Sequence, residues 1–214
     1  MDNANMSTSN GIVVGEDGLA RCAWGASHPL YVPYHDLEWG RPEGRDVRLF
    51  EKICLEGFQS GLSWLTILKK REGFREAFCE FDIDSIASMK QANIKRLLGN
   101  ENIVRNRAKI EATIHNARQA QMLREEYGSL AAYFWQWEPK RRAKAIDWST
   151  LRTLGKTTES VALSKDLKKR GWKFVGPTTV YAFMQAMGMV NDHVAGCHAH
   201  ARTEKEAKAF VRPR

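Results

Sequence analysis

Apolar residues recur in this chain at the spacing of one helix face, and this periodicity most constrains the fold. In the segment from Asp46 to about Phe58, the residues Leu49, Phe50 and Ile53 form one stripe. Asp46 is a favourable helix N-cap, and glycines follow the segment. Strand-forming runs are scarce, whereas Ala, Leu, Lys, Glu and Arg are abundant. The sequence therefore predicts an all-α fold.

The same periodicity predicts further helices and divides the chain into three regions. The predicted helices are Leu62–Arg71, Ile83–Met89, Asn93–Leu98, Arg105–Tyr127, a segment capped by Ser129, Ser160–Arg170 and Pro177–Met189. Gly73 is expected to end the first of them, and 139–149 is expected to be a basic loop. Residues 1–20 are predicted to be a flexible tail, 21–200 one domain, and 201–214 a loose basic tail.

The chain carries a formal net charge of +8. A basic chain favours polyanionic partners, because bound phosphates release condensed cations. Seven tryptophans add aromatic faces on which exposed bases can stack, although core packing is expected to take half or more of them. A solvated basic surface is the alternative, so the charge alone does not identify the polyanion.

The four cysteines are Cys22, Cys54, Cys79 and Cys197, and their spacing is not that of a secreted disulfide scaffold. Cys54 and Cys79 lie in apolar helical contexts and are interpreted as core thiols. No apolar run approaches the length of a membrane span, and residues 1–10 lack the features of a secretory signal. We expect a cytoplasmic protein with reduced thiols and no membrane association.

Two short segments, far apart in the sequence, carry residue types that bind zinc. The candidate ligands are Cys22, His35, His193 and Cys197. A Cys₂His₂ set is typical of a closed tetrahedral zinc site, which here would join the two ends of the domain. The alternative is two buried thiols and two ordinary histidines, and His198 and His200 are competing ligands. We favour His193 because it directly follows a predicted helix.

Glu56 interrupts an apolar stripe, since Leu49, Ile53 and Glu56 follow the i, i+4, i+7 spacing of one helix face. A buried charge is costly unless it is paired, so such a group often has a chemical task. A glycine-rich turn and Trp64 follow Glu56, and the glycines permit close approach of a ligand. A buried carboxylate among aromatic rings is suited to a cationic base. The alternative is a boundary glutamate that turns to solvent.

A glycine-bounded turn, Gly171 to Thr178, joins the last two predicted helices. Lys173 lies in this turn, and Gly176 precedes Pro177, the expected first residue of the last helix. Backbone N–H groups at a helix start can bind a DNA phosphate, and nearby lysines add positive charge. The turn resembles a degenerate helix-hairpin-helix. The alternative is an ordinary interhelical loop beside a solvated basic helix face.

Five segments occur together in the 3-methyladenine DNA glycosylase I family, which this sequence resembles. They are Arg21–Trp24, Tyr34–Gly40, Leu55–Trp64, Lys169–Gly176 and Val190–Cys197. The resemblance covers Arg21 to Cys197 and implies a helix-hairpin-helix DNA glycosylase fold. It implies one structural zinc ion, held by Cys22, His35, His193 and Cys197. One departure concerns the wider superfamily, whose aspartate position corresponds to Asn191 here; this change argues for an unusual mechanism rather than an inactive enzyme.

The resemblance also implies roles for the remaining candidate residues. Glu56 would be the base-recognising carboxylate of the active site. The residues that would line its pocket are Trp24, Tyr34, Trp39 and Trp64. Gly61 and Leu62 would lie at the DNA lesion, where Leu62 would fill the gap left by the flipped base. With Lys173 and Gly176 of the turn, they form the candidate DNA-binding set.

The implied activity is base excision repair, in which the N-glycosidic bond of 3-methyladenine in alkylated double-stranded DNA is hydrolysed and the free base is released. Methylation at N3 makes the base a cation that leaves as a neutral molecule, so no general acid is required. A monomer is expected. Two other classes remain open: a non-catalytic reader of damaged DNA, and a zinc hydrolase or nuclease, which needs an open metal position.

Overall fold

The computed structural model describes residues 10–214, which are mostly helical. A short antiparallel pair of strands, β1 (Ile12–Val14) and β2 (Ala20–Cys22), comes first. The helices that follow are α1 (Ala23–Ala26), α2 (Tyr31–Leu37), α3 (Asp46–Gln59), α4 (Trp64–Lys69), α5 (Arg71–Ala77), α6 (Ile83–Ala87), α7 (Gln91–Leu98), α8 (Arg107–Tyr127), α9 (Leu130–Trp135), α10 (Trp148–Leu151), α11 (Thr158–Lys169), α12 (Pro177–Ala186) and α13 (Ala199–Ala209), with a 3₁₀ turn at Cys79–Phe81.

Side-chain caps start several of these helices where the sequence has Ser, Thr, Asp or Asn. The side chain of Asn106 accepts a hydrogen bond from the Lys109 N–H at the start of α8 (3.1 Å), and Ser129 does the same for Ala132 in α9 (2.9 Å). Gly128 ends α8 with a φ of +80°, which a glycine adopts without strain. The prediction that Asp46 caps α3 was wrong, because Arg45 is the N-cap and Asp46 is the first helical residue.

The core is built around α3, which contacts α12, α8, α9 and α4. From Leu49 to Phe58 every residue of α3 is buried, including its two glutamates and its lysine. A helix buried on all sides must pair its charged side chains inside the protein. The fold therefore places ionisable groups of α3 beside the pockets that α3 borders.

Helices α11 and α12 pack against each other and are joined by the connection 170–176. Gly171 has a φ of +86°, and the Ser164 hydroxyl donates to the carbonyl of Val175 at 2.6 Å. Gly176 precedes α12, whose first residue is Pro177 as predicted. The connection is thus held tightly against α11.

The predicted helix Leu62–Arg71 corresponds to α4, which ends at Lys69. A second helix, α5, begins at Arg71, so Gly73 lies inside α5 rather than ending a helix. A Cβ at Gly73 would lie only 2.5 Å from the carbonyl oxygen of Asn102, so this glycine serves a close approach. Cys79 is exposed, so its interpretation as a core thiol was wrong, whereas Cys54 is buried. The last predicted helix ends at Ala186 rather than Met189.

Both predicted tails contain regular structure. β1 lies within the segment 1–20 that was expected to be flexible, of which residues 1–9 lie outside the described part. The prediction of a loose tail at 201–214 was wrong for α13, whose residues Ala199, Thr203 and Ala207 are buried at helical spacing. Small residues give a weak apolar signal, which is why the sequence did not indicate this helix. None of the helices within residues 10–214 is long and apolar enough to cross a membrane.

Candidate functional site

An open pocket of about 280 Å³ contains five of the residues selected from the sequence, and we call it the aromatic pocket. The predicted residues that line it are Trp24, Tyr34, Trp39, Glu56 and Trp64. They come from α1, α2, the turn after α2, α3 and α4. The fold therefore brings together side chains that are spread over forty positions of sequence.

The four rings of the aromatic pocket form a chain of contacts that runs from Trp39 through Trp24 and Tyr34 to Trp64. Trp24 and Trp39 meet edge to face, with centroids 4.9 Å apart. Tyr34 lies 6.2 Å from Trp24 and 5.4 Å from Trp64, and the Tyr34 and Trp64 planes are tilted by 41°. Trp39 and Tyr34 are buried, while Trp24 and Trp64 are partly exposed. The arrangement offers flat apolar faces for an aromatic guest.

Glu56 is buried, with 5% of its surface exposed, so it is not the boundary glutamate turned to solvent that the helix periodicity left open. Its Oε1 forms an ion pair with Lys52 Nζ at 2.7 Å, one helical turn earlier on α3. Within residues 10–214 its Oε2 has no hydrogen-bond donor. Glu56 lines the aromatic pocket, so its side chain is within reach of a guest there.

Lys52 is the chief functional candidate that the sequence did not reveal. Its ammonium donates a hydrogen bond to the Tyr34 hydroxyl at 2.7 Å and lies 3.4 Å from the ring centroid of Trp64. Burial lowers the pKa of Lys52, and the charge of Glu56 opposes that effect. Burial and the charge of Glu56 raise the pKa of Tyr34. A lysine four residues before Glu56 was the only signal, and such pairs are usually solvated.

Further residues that line the aromatic pocket were not selected from the sequence. They are Gln59, Trp148, Leu151, Leu154, Ala182 and Gln185. Trp148, Leu151 and Leu154 lie in or just after α10, a helix that was not expected and that begins within the predicted loop 139–149. Tertiary packing, rather than a motif, brings them to the pocket.

Gly61 and Leu62 lie in the turn between α3 and α4, which we call the first loop (residues 60–63). Gly61 has a φ of +79°, and a Cβ there would meet nothing within 4 Å. Leu62 is 42% exposed, so it projects from the surface as a filler of a DNA gap would need to do. Lys109 of α8 binds the end of α3 and the start of this loop, because its Nζ donates to the carbonyls of Phe58 (2.8 Å) and Ser60 (2.5 Å).

Lys173 and Gly176 lie in the α11–α12 connection (residues 170–176), which we call the second loop. Asn116 of α8 binds both backbone groups of Lys173: its Nδ2 donates to the carbonyl, and its Oδ1 accepts from the N–H, each at 2.9 Å. The Lys173 side chain is exposed. A Cβ at Gly57 would lie 3.2 Å from the Cβ of Phe174, so the second loop lies against the end of α3. The two loops are therefore neighbours.

The basic set around the second loop is smaller than the sequence indicated. Arg170 is bound to Glu126 at 2.5 Å and to Asp166 at 2.7 Å, so its charge is used within the protein. Lys165, Lys168 and Lys169 are exposed on α11. These lysines and Lys173 remain as positive groups that face solvent.

Three of the four proposed metal ligands form a buried Cys/His cluster. The ligand atoms of Cys22, His35 and Cys197 all lie within 4.8 Å of one another, and Cys197 Sγ is 3.5 Å from His35 Nε2. Hydrogen bonds from Cys22 and His35 lower the pKa of the Cys197 thiol, while the contact with Cys197 and burial raise the pKa of Cys22. Such a group of donors could hold a metal ion.

His193, the fourth candidate ligand, is not part of that group of three donors but lies next to His35. Its ring centroid lies 5.0 Å from that of His35, and its Nε2 is buried without a hydrogen-bond partner within residues 10–214. Its Nδ1 donates to Asn191 Oδ1 at 2.8 Å, which leaves Nε2 as the nitrogen with a free lone pair. A buried nitrogen without a partner fits a metal ligand.

Asp36 forms hydrogen bonds with both His35 and His198, the histidine that competed with His193 as a candidate ligand. Asp36 Oδ1 accepts from His35 Nδ1 at 2.7 Å and from His198 Nε2 at 3.0 Å. A carboxylate on the far nitrogen of a ligating histidine fixes the ring, so His35 presents Nε2 to the cysteines. The three groups His35, Asp36 and His198 also lie close enough to hold an ion, but these hydrogen bonds already occupy their facing atoms.

The superfamily aspartate position, Asn191, serves this cluster and not the aromatic pocket. Besides orienting His193, its Nδ2 donates to Glu204 Oε1 at 2.8 Å. The adjacent Asp192 is fully buried and accepts hydrogen bonds from Tyr181, Gln185 and Arg142. These donors satisfy the Asp192 carboxylate, so it is not a free base.

This chain resembles known proteins over most of its length. The family described as methyladenine glycosylase matches residues 24–200. DNA-3-methyladenine glycosylase 1 of Escherichia coli (strain K12) is 46% identical over 180 residues, which cover 84% of this chain and 96% of that protein. The DNA-3-methyladenine glycosylase of Haemophilus influenzae is 48% identical over 179 residues, which cover 83% and 96%. A solved structure of 3-methyladenine DNA glycosylase I from Staphylococcus aureus, described for its recognition of 3-methyladenine, has a TM-score of 0.79 at 36% identity and covers 84% and 96%.

Proposed function

The chain belongs to the methyladenine glycosylase family, and from that premise we propose that it is a DNA-3-methyladenine glycosylase. It hydrolyses the N-glycosidic bond that joins 3-methyladenine to the sugar of alkylated DNA and releases the free base. The observation that carries the proposal is Glu56, a buried carboxylate with one oxygen free, in a pocket lined by aromatic rings. The substrate lies in DNA, which favours a cytoplasmic enzyme.

The aromatic pocket is suited to a flipped, positively charged base. Trp24, Tyr34, Trp39 and Trp64 supply ring faces for stacking and for cation–π attraction. Glu56 Oε2 accepts a hydrogen bond from the amino edge of the base, and its charge complements the cation. Unmodified adenine carries no charge and is a poor leaving group, so it is neither bound as well nor released.

The reaction needs little acid–base chemistry from the protein. Methylation at N3 lets the base leave as a neutral molecule, so no proton has to be delivered to it. The protein holds the base out of the helix, places the Glu56 carboxylate opposite the positive charge, and admits water to the sugar. Asp192 takes no part in this scheme because its oxygens are already bound.

The two loops form the proposed DNA surface. Leu62 fills the space that the flipped base leaves, and the glycine beside it lets the DNA backbone approach. The second loop and the start of α12 bind a phosphate through backbone N–H groups at Gly176 and through Lys173. This α11–α12 unit is the proposed helix-hairpin-helix.

Zinc is the metal we propose for the Cys/His cluster, with Cys22, His35, His193 and Cys197 as its ligands. Two thiols and two imidazoles are the donor set that Zn²⁺ favours, and the unpartnered Nε2 of His193 fits the fourth position. When bound, zinc supplies a structural link and no step of the reaction. Four protein ligands leave no position for a metal-bound water, which favours the glycosylase over a zinc hydrolase.

The experiment that tests the function measures base release from DNA. Purified protein is incubated with a duplex treated with a methylating agent, and released bases are separated by chromatography. We expect 3-methyladenine in excess of the spontaneous release from the same DNA without protein. The matched control is the same duplex without methylation, from which no adenine should appear. Binding of alkylated DNA without base release would instead indicate a non-catalytic reader.

A further inference from the structure

Lys52 contacts the proposed base-recognition groups at one point. Its ammonium pairs with Glu56 Oε1 (2.7 Å), donates to the Tyr34 hydroxyl (2.7 Å) and lies over the Trp64 ring (3.4 Å to the centroid). Only 6% of Lys52 is exposed. A single cation thus contacts three groups, one carboxylate and two rings, and each group comes from a different helix.

The Lys52 ammonium contacts these groups from outside the aromatic pocket. Lys52 lines a second, larger cavity of about 570 Å³ and not the aromatic pocket itself. Tyr34 and Trp64 line both cavities and so form the partition between them. A base in the aromatic pocket therefore meets Glu56 and the ring faces, while Lys52 stays on the far side.

The other acidic groups of the larger cavity have arginine partners of their own. Glu51 is bound by Arg48 (2.5 Å) and Arg75 (2.9 Å), and Glu38 is bound by Arg71 (2.6 Å). Lys52 is consequently directed to Glu56 alone among the acidic groups. Stability does not explain such a pair, because apolar residues of similar volume often stabilise a fold as well as a buried ion pair does.

We propose that Lys52 is a positioning residue for base recognition. It holds Glu56 with Oε1 turned back and Oε2 facing the pocket, and it fixes the Tyr34 hydroxyl and the Trp64 ring in the same contact. The proposal rests on the proposed function, since it concerns the same pocket. Lys52 acts through these three groups and does not touch the base.

The test compares variants that differ in the charge at position 52. Lys52→Gln keeps an N–H donor without the charge, and Lys52→Arg keeps the charge in a longer side chain for which the larger cavity has room. For free 3-methyladenine, measured by calorimetric titration, we expect Lys52→Gln to bind about tenfold or more weakly, because Glu56 is no longer held in place and loses its charge-assisted hydrogen bond to the base. Lys52→Arg should restore most of the affinity. Lys95→Gln, an exposed lysine of α7, should bind as the wild type does.

A double-mutant cycle separates positioning from a general structural effect. If Lys52 acts through Glu56, Lys52→Gln should cost less than about twofold in a Glu56→Gln background, because the two changes share one interaction. An equally large loss in both backgrounds would overturn the proposal, as would wild-type affinity in Lys52→Gln. Tighter binding by Lys52→Gln would show that the lysine competes with the base and would also overturn it. Circular dichroism checks that each variant folds. If Lys52→Gln does not fold, the decision rests on Lys52→Arg, and failure of that variant to bind 3-methyladenine would count against the proposal.

Wild-type activity keeps the two proposals apart. If the wild type releases no 3-methyladenine from alkylated DNA and does not bind the free base, the proposed function fails whatever Lys52 does. If the wild type releases the base and the variants bind it equally well, only the positioning role of Lys52 fails.

Discussion

Two oppositely charged side chains, Lys52 and Glu56, lie buried one turn apart on α3, where packing alone would favour apolar residues. Burying both charges carries a desolvation cost that their attraction offsets only with good geometry. The 2.7 Å contact and the bond to Tyr34 provide that geometry. At the scale of single residues, the fold therefore keeps two charges in the core beside the pocket, and the proposed base recognition would give them a function.

Glu56→Gln tests the carboxylate directly. The amide keeps the shape and an oxygen for Lys52, but it removes the charge that faces the base. We expect affinity for free 3-methyladenine to fall by about 1.5–3 kcal/mol, the worth of one hydrogen bond to a charged group. Excision should fall more modestly, because the lesion's own lability supplies much of the rate. Calorimetric titration and single-turnover base release measure the two effects.

The matching control for Glu56→Gln is affinity for undamaged duplex DNA, which should not change because the loops that face DNA are elsewhere. Zinc content should also stay the same. If the variant binds the free base and excises it as the wild type does, Glu56 is structural, and recognition rests on the aromatic residues alone.

Sequence patterns predicted Glu56 and the long helices but not the elements whose signals are weak. Glu56 was found because it interrupts a regular stripe, and α8 because Ile110, Ile114 and Ala117 keep one face over several turns. α13 was missed because its buried face consists of Ala and Thr. Lys52 was missed because no sequence pattern distinguishes a lysine buried by neighbouring helices from a solvated one.

At the scale of elements, α8 positions both proposed DNA loops from one face. Lys109 and Asn116 are seven residues apart and therefore on the same side of the helix. Lys109 holds the approach to the first loop, and Asn116 holds the second. Both side chains are buried, at 8% and 4% exposure, so their hydrogen bonds are shielded from water. The spacing between the loops is thus set by a rigid helix rather than by the loops themselves.

Asn116→Ala should loosen the second loop without disturbing the aromatic pocket. Two hydrogen bonds to the Lys173 backbone are lost, which should lower the free energy of unfolding by about 1–3 kcal/mol. Affinity for duplex DNA should fall, while affinity for free 3-methyladenine should not. Gln121→Ala is the control, because it removes a bond to Asp84 from the same helix. Equal DNA binding by the two variants would show that the loop needs no support from Asn116.

Lys173→Glu tests the charge on the second loop. If Lys173 contacts a phosphate, reversal should weaken binding to alkylated and unmodified duplexes to a similar extent, since phosphates carry no sequence or lesion information. The slope of log affinity against log salt concentration should decrease by about one. Fluorescence anisotropy over a range of salt concentrations measures both. An affinity that does not depend on salt in the wild type would exclude this loop as the DNA surface.

At the scale of the whole molecule, the Cys/His cluster joins the two ends of the domain. Cys22 ends β2 near the start of the described chain, and Cys197 immediately precedes the segment that leads into α13. The Val194 N–H donates to Cys22 Sγ at 3.3 Å. Ile146 forms a β-bridge with Val194, so the segment before α10 also contacts this region. Trp24 and Trp39 of the aromatic pocket lie beside these ligands, since Trp39 meets His193 with ring centroids 4.7 Å apart. The cluster therefore supports one wall of the pocket.

Replacing Cys22 or Cys197 with serine should lower metal content and stability together, because structural zinc binding is coupled to folding. We expect about one zinc per chain in the wild type, from four protein ligands, and substoichiometric zinc in either variant, with a lower midpoint of denaturation. Cys79→Ser is the matched control, since Cys79 is an exposed thiol away from the cluster. Elemental analysis and urea denaturation measure these quantities. Because the cluster supports Trp39, affinity for 3-methyladenine should fall with the metal. Pure, active protein without stoichiometric metal would show that the two thiols and two imidazoles are held by packing and hydrogen bonds alone.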